Sequence, residues 1–176
     1  MLVIPSRDPI VVEPHNPIWA GQFKEEYPCI VEALGDRVKN VHHIGSTSIP
    51  GLQSKPIIDI MVSLAPFEDP HVYSKLLASA GYAYASHGSE EGRIFFIKIT
   101  CANFHLHLVE DGEWMEKRHT LFRDALTRKE ALRTRYEELK RELATRFRDK
   151  RASYVAGKTA FIEQTAQEEK EYLKNM

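Results

Sequence analysis

The chain has 176 residues, of which 43% are hydrophobic and 28% charged, with a net charge of −1 and an isoelectric point near 6.7. This composition is typical of a globular protein and argues against a general, strongly basic nucleic-acid binder. The length suits one domain, so we expect a single domain over residues 1–176, with a sheet and helices in 1–112 and mainly helices in 113–176.

Two further features limit the class of protein. Cys29 and Cys101 are too few and too far apart for a disulfide framework or a thiolate metal site. The apolar start, residues 1–4, is interrupted by Pro5, which predicts neither a signal peptide nor a transmembrane helix. We therefore expect a cytoplasmic protein without membrane contacts.

The first predicted elements are a helix and two strands. Asn16 and Pro17 are typical of a helix cap and first turn, and apolar residues then recur at helical spacing until Gly35. Residues 38–44 are rich in β-branched residues and predict a strand, and residues 57–62 predict a second one.

The later elements predict a change from sheet to helices. A helix is expected from Asp69 to Gly81, because Asp-Pro opens it and glycine closes it. Three strands should follow, over residues 82–86, 93–100 and 104–110. Beyond Glu113 the apolar spacing predicts long helices, with a charged, frayed end over residues 168–175. The predicted fold class is α+β, a mixed sheet with flanking helices followed by a C-terminal helical half.

The segment GSTSIPGLQSKPIIDI, residues 45–60, carries the strongest functional signal. A glycine turn lets backbone amides approach an anion closely, and hydroxyls and a lysine follow it. The predicted phosphate-binding residues of this turn are Gly45, Ser46, Thr47, Ser48 and Lys55. Asp59 is a lone carboxylate in an apolar strand, and burying it is costly unless it meets a cation. A structural ion pair of Asp59 with Lys55 or an arginine is the alternative to a functional role.

Strand alternation indicates which side chains share a face with Asp59. In residues 104–110 Phe104, Leu106 and Leu108 fall on one side, which leaves His105 and His107 together on the other. If this polar face coincides with that of Asp59, the three side chains form a candidate metal site, since two imidazoles and a carboxylate are a common ligand set. The equally weighted alternative is a pair of half-exposed histidines that hydrogen-bond to neighbouring groups.

The motif resembles a known superfamily. An apolar strand, Gly-Ser, a gap of 12 residues and an Asp in an apolar strand are similar to the signature of nucleotidyltransferases. More narrowly, GSTSIPGL followed by KPIIDI resembles the GrpB (UPF0157-type) family, and the likeness extends to Trp19, HLHLV, FRDAL and Phe161. The resemblance implies a nucleotidyltransferase-like fold, a Gly-Ser turn that holds a nucleoside triphosphate, and a divalent metal.

The same resemblance implies a role for the helical half. Lys and Arg outnumber Asp and Glu by fourteen to six in residues 117–158. Most of these residues are expected to form a solvated helix face, but some would line an anion site. Lys158 follows Tyr154 by one helical turn, so both can face one ligand. The implied ligand-binding residues of this half are Arg123, Lys140, Tyr154 and Lys158.

One departure from the superfamily pattern limits the expected chemistry. Nucleotide-transferring members carry Asp-apolar-Asp and a third carboxylate on a later strand, which together hold two magnesium ions. Met61 stands at the position of the second acid, and its thioether is a poor ligand for a hard cation. His105 and His107 stand where the third acid would be wanted.

Two hypotheses of function follow. The first is an enzyme of nucleotidyl or phosphoryl transfer, in which Asp59 holds magnesium or a transition metal and His107 acts as ligand or base. The second is a non-catalytic module that binds a nucleotide or phosphorylated metabolite. Both predict a small phosphorylated ligand, whereas RNA binding is a weaker third hypothesis because no aromatic-studded sheet motif accompanies the basic residues. The pattern predicts no particular acceptor or oligomeric state.

Overall fold

The structure, a computed structural model, describes residues 12–176. Within them, a five-stranded mixed sheet and five α-helices form an α+β fold whose C-terminal half is helical. The predicted fold class is therefore confirmed. Residues 1–5, discussed above for their apolar start, lie outside the described part of the chain.

The helices and strands follow the predicted order. The helices are Ile18–Leu34 (α1), Pro70–Leu77 (α2), Trp114–Arg128 (α3), Glu130–Arg146 (α4) and Arg151–Lys174 (α5). The strands are Val38–Ile44 (β1), Ile57–Leu64 (β2), Ala83–Tyr84 (β3), Arg93–Ile99 (β4) and Asn103–Glu110 (β5). Asn16 and Asp69 cap α1 and α2 by accepting hydrogen bonds from the Ile18 and His71 amides at 3.1 and 2.8 Å. α2 is shorter than predicted, because the chain forms a turn before Gly81.

The sheet order brings the two polar strands together. It is β1-β2-β5-β4-β3, with β2 parallel to β5 and the other pairs antiparallel. In this register Asp59 lies opposite His105, and Met61 opposite His107. The predicted polar faces of β2 and β5 therefore coincide.

The two faces of the sheet are covered by different helices. On one face, aliphatic residues of β2 and β5 join the main core with Trp19 and Ile30 of α1 and Tyr73 of α2. On the other face, α3 contacts β1 and β5, and it packs against α4 and α5. The polar face of β2 and β5 is thus turned toward the helical half.

Two properties of the described residues concern the predicted cellular setting. Cys29 and Cys101 are both free and exposed. Within residues 12–176, no helix combines the length and the apolar character needed to cross a membrane. The cytoplasmic location stays a prediction.

The C-terminal segment differs from the frayed end that its charge pattern predicts. α5 continues to Lys174, and the side chain of Glu169 within it is fully buried. Its carboxylate accepts hydrogen bonds from Arg128 and from Lys129, whose Nζ lies 3.0 Å away. The prediction was wrong because the partners lie at the end of α3, about 40 residues earlier.

Glu169→Gln should lower the free energy of unfolding by about 1–2 kcal/mol, because two hydrogen bonds lose their charge assistance. The loss is moderate, since Arg128 and Lys129 are partly exposed and can be hydrated in the variant. Urea unfolding measures the change, and Glu168→Gln at the exposed neighbour is the matched control. Equal losses in the two variants would contradict this role of Glu169.

The pH dependence of the Glu169 effect has a defined sign. Burial opposes ionisation, but the hydrogen bonds from Arg128 and Lys129 outweigh it, so the pKa of Glu169 lies below its usual value. Its contribution is complete above the unfolded pKa and is lost as pH falls through the folded pKa. The stabilities of Glu169→Gln and wild type should therefore converge in acid.

Candidate functional site

The turn after β1 is shaped around Asp59. Ile44 lies opposite Asp59 in the antiparallel pair β1–β2, and the chain then turns at Gly45 with a φ of 71°. A Cβ on Gly45 would overlap Asp59 Oδ2 and lie 3.0 Å from the Asp59 Cβ and Cγ. The space over this glycine, which the sequence assigned to an incoming anion, is therefore taken by the protein's own carboxylate.

Asp59 is the centre of a small polar cluster with two histidines. Its Oδ1 lies 3.4 Å from His105 Nδ1 and 3.4 Å from His107 Nε2. Burial opposes the ionisation of Asp59, but the hydrogen bonds from His105 and His107 outweigh it and hold its pKa well below the usual range. Burial lowers the pKa of His107, although Asp59 acts in the opposite direction. The site therefore holds a carboxylate that stays ionised.

The three side chains do not form a ready-made metal site. Within residues 12–176, no group of three or more His, Cys, Asp or Glu is placed so that it could hold a metal ion. Both ring nitrogens instead face one oxygen of Asp59, as hydrogen-bonding partners of a carboxylate do. This geometry is that of the alternative interpretation of the sequence, in which the two histidines hydrogen-bond to a neighbouring group.

Met61 lies opposite His107 in the sheet but is not part of the polar cluster. Its side chain is fully buried in a small apolar cluster with Ile44, Val109 and Met115. The position at which nucleotide-transferring proteins carry a second acid is thus part of the packing beneath α3. Asp59 is the carboxylate that β2 presents to the site.

Lys140 approaches the same turn from α4. Its side chain is buried, and its Nζ donates to the Gln53 carbonyl oxygen and lies 3.5 Å from Ser46 Oγ. It also lies 5.2 Å from the centre of the Tyr136 ring. The pKa of Lys140 is lowered to about 8. Burial is the largest cause and the positive charge of Lys158 is the second, while the negative charge of Glu137 acts in the opposite direction.

Two further lysines meet at one aromatic ring. Lys158 Nζ lies 4.5 Å from the centre of the Tyr154 ring, and Lys55 Nζ lies 5.2 Å from it. Such contacts stabilise a cation over the face of an aromatic ring. The pairing of Tyr154 with Lys158 that helical spacing predicts is present in α5, and Lys55 joins it from the segment before β2.

These groups line one cavity of about 280 Å³ between the sheet and the helical half. The sequence-predicted residues that line it are Gly45, Ser46, Lys55, Asp59, His105, His107, Lys140, Tyr154 and Lys158. Asp59 and the histidines lie on the sheet, whereas Lys140 and Lys158 come from the helices. The cavity therefore has an acidic part and a basic part.

Three predicted residues are not brought to the cavity. The Thr47 hydroxyl donates to the Ile57 carbonyl oxygen at 3.0 Å, and the Ser48 hydroxyl donates to that of Gly45 at 2.6 Å. Arg123 donates to the His43 carbonyl oxygen at 3.1 Å. Thr47, Ser48 and Arg123 thus hold the turn and its connection to α3, and their predicted role in ligand contact stays a prediction.

Tyr136 and His119 are among the cavity residues that were not singled out from the sequence. Tyr136 lines the cavity, and the centre of its ring lies 5.2 Å from the Lys140 amine. His119 Nδ1 lies 2.8 Å from the Met115 carbonyl oxygen, and burial lowers its pKa to about 3, so the ring is neutral. No sequence signal distinguishes these residues, because their location depends on how α3 and α4 pack on the sheet.

The fold and this cavity define a small α+β protein in which a cavity lined by lysines lies beside a carboxylate–histidine cluster. The family model described as "GrpB protein" matches residues 9–168, and the chain belongs to this family. The resemblance in the sequence is therefore confirmed at the level of the GrpB family.

Relatives of known sequence support this assignment. Glutamate-rich protein GrpB of Alkalihalophilus pseudofirmus is 31% identical over 170 residues, which cover 93% of this chain and 97% of that protein. UPF0157 protein YqkA of Bacillus subtilis is 34% identical over 155 residues, which cover 88% of this chain. The matched region spans only 45% of YqkA.

A solved structure is similar in fold. The crystal structure of conserved protein GrpB from Enterococcus faecalis superposes with a TM-score of 0.81 at 32% sequence identity. The match covers 93% of this chain and 99% of that one. The mixed sheet followed by helices is thus an architecture that this chain shares with a GrpB protein.

Proposed function

We propose that the cavity binds the phosphate group of a small phosphorylated ligand, and that the protein is a binding module. The environment of Lys140 is the observation that supports this proposal. Its amine is buried at the cavity wall, its two hydrogen-bond acceptors are neutral oxygens, and a second lysine is close enough to lower its pKa. An anion in the cavity would relieve this unfavourable arrangement of buried positive charge.

The surroundings of Lys140 supply the other groups that a phosphate requires. Ser46 Oγ is a hydroxyl donor 3.5 Å from the amine, and Lys158 lines the same cavity. Hydrogen bonds between ionised lysine and phosphate oxygens are short and roughly twice as strong as neutral ones. Ser46, Lys140 and Lys158 are therefore the proposed phosphate contacts, with Lys55 adding positive charge.

Isothermal titration calorimetry with inorganic phosphate and pyrophosphate tests the proposal. We expect saturable binding with one site per chain and a rise in melting temperature that increases with ligand concentration. Sodium chloride at matched ionic strength controls for general screening of charge. Neither heat of binding nor a shift in melting temperature at saturating pyrophosphate would contradict the proposal.

The affinity for a tetrahedral anion should depend on pH through Lys140. Because its pKa is about 8, Lys140 is charged below this pH and neutral above it. Binding of sulfate, whose own charge is constant in this range, should be tightest below about pH 8 and weaken as pH rises through that value. Titration calorimetry over a series of pH values measures the effect.

The control for this pH profile is Lys140→Arg. Arginine stays protonated throughout, so sulfate affinity in the variant should not decline in the same interval. A wild-type affinity that is unchanged across the pKa of Lys140 would show that this amine does not contact the anion.

Placement in the nucleotidyltransferase superfamily is part of the same proposal. It is supported by the order of β1, the Gly45-Ser46 turn and Asp59 on β2, together with a cavity at that turn. The buried Met61 argues against the full chemistry of that superfamily. We therefore propose a related fold that uses its cleft for binding.

Metal-dependent nucleotidyl or phosphoryl transfer stays a second candidate, because Asp59 and two histidines meet inside the cavity. The binding account predicts no product when the protein is incubated with a nucleoside triphosphate and magnesium or manganese. Ion-exchange chromatography of the nucleotides measures turnover. Product that disappears in Asp59→Ala, with an unchanged melting temperature, would favour transfer over simple binding.

A further inference from the structure

We infer that the ligand is bipolar, with a phosphate group at Lys140 and Ser46 and a hydrogen-bond donor, a hydroxyl or an ammonium group, at Asp59. This inference rests on the proposed phosphate site and extends it to the other end of the cavity. Its basis is the arrangement of the two Asp59 oxygens relative to Gly45 and Ser46.

The two oxygens of Asp59 have different surroundings. Oδ1 faces His105 and His107, at 3.4 Å from each ring nitrogen. Oδ2 lies over Gly45, and among the described residues it has no hydrogen-bond donor, yet it is not one of the buried atoms without a partner. Oδ2 is therefore an accessible acceptor, and Asp59 lines the cavity.

The charge of Asp59 determines which ligand group suits this end. An ionised carboxylate only accepts hydrogen bonds and repels phosphate oxygens. The neighbouring His107 does not cancel the charge, because burial favours its neutral form. A phosphate is thus directed toward the lysines, while a hydroxyl or ammonium group would satisfy Oδ2.

The two ends of the site lie at consecutive residues of one turn. Oδ2 lies over Gly45, and the Lys140 amine lies 3.5 Å from Ser46 Oγ on the next residue. Because Gly45 and Ser46 are consecutive, a ligand that contacts both groups would lie against the same turn, which favours a short spacer. The cavity of about 280 Å³ is also near the lower limit for ligand sites, which favours a small molecule. A short hydroxyalkyl or aminoalkyl phosphate fits these limits.

Calorimetric titration of the wild-type protein with three matched probes tests the inference. The probes are 2-hydroxyethyl phosphate, 2-aminoethyl phosphate and propyl phosphate, which differ only in the group at the far end. At least one of the first two should bind about tenfold or more tightly than propyl phosphate. Whichever of these two probes binds more tightly identifies the donor group of the ligand as a hydroxyl or an ammonium group.

The variant Asp59→Asn adds a second measurement. It should lose most of the preference over propyl phosphate, because the side chain at position 59 no longer carries a charge. Equal affinity of all three probes for the wild type would overturn the bipolar ligand while leaving the phosphate site intact. Failure of inorganic phosphate to bind would instead overturn the proposed function itself. If Asp59→Asn does not fold, the wild-type comparison alone decides.

Discussion

Lys140→Met should weaken the binding of pyrophosphate by roughly 10- to 100-fold, because a charge-assisted hydrogen bond contributes about 1.5–3 kcal/mol. Methionine has a similar length and suits the buried position, but it carries no charge. The Gln53 carbonyl oxygen loses a donor in this variant, so a small decrease in melting temperature is also expected. Titration calorimetry gives the change in affinity.

The matched control for this change is Lys150→Met. Lys150 is exposed and lies between α4 and α5, so its replacement alters the net charge equally without touching the cavity. Its affinity for pyrophosphate should stay within about twofold of wild type, as expected for a distant, screened charge. If both variants lost affinity equally, the binding would reflect net charge and not the Lys140 site.

Gly45→Ala should reduce the free energy of unfolding by about 2–5 kcal/mol, through backbone strain and steric overlap together. The φ of Gly45 is 71°, in the left-handed region, and the new methyl group would overlap the Asp59 carboxylate. The expected structural result is displacement of Asp59 from His105 and His107. Urea unfolding measures the loss of stability.

Gly51→Ala separates the two causes of this loss. Gly51 has a φ of 78°, but a Cβ there meets no heavy atom within 4 Å. Its replacement should therefore cost only the strain, about 1–2 kcal/mol. The excess cost of Gly45→Ala should shrink in an Asp59→Ala background. Equal costs at Gly45 and Gly51 would contradict close packing of Asp59 on the turn.

The sequence predicted the elements well, because their signals are local. The caps at Asn16 and Asp69 fix helix starts through side-chain hydrogen bonds to nearby amides. Alternation in β5 separated His105 and His107 from the apolar face without knowledge of any neighbour. By contrast, no local signal showed that β2 and β5 are adjacent, since their pairing joins segments far apart in the chain.

The site was only partly predictable, for the same physical reason. Hydroxyl-rich turns are typical of anion sites, but the hydroxyls of Thr47 and Ser48 equally satisfy carbonyl oxygens within the turn. Whether these hydroxyls bind an anion or a backbone carbonyl oxygen depends on the path of the chain beyond the turn. Tyr136 and His119 could not be identified as cavity residues, because helix packing decides which helical side chains face the sheet.

The charge pattern of the sequence predicted the wrong environment for Glu169, because the residues that pair with it are distant in the chain. The run from Glu168 onward is polar enough to predict a solvated end, yet Glu169 is fully buried against Arg128 and Lys129. A carboxylate tolerates such burial when cations pair with it. The sequence contains both the acid and the bases but gives no indication of their proximity.

A crystal structure of the protein grown with pyrophosphate would show whether the anion binds in the cavity beside Lys140. We expect electron density for the anion in the cavity, with phosphate oxygens within hydrogen-bond distance of Lys140 Nζ and Ser46 Oγ and away from Asp59. Density for the anion at another surface, with this cavity filled by water at a saturating pyrophosphate concentration, would contradict the proposed site.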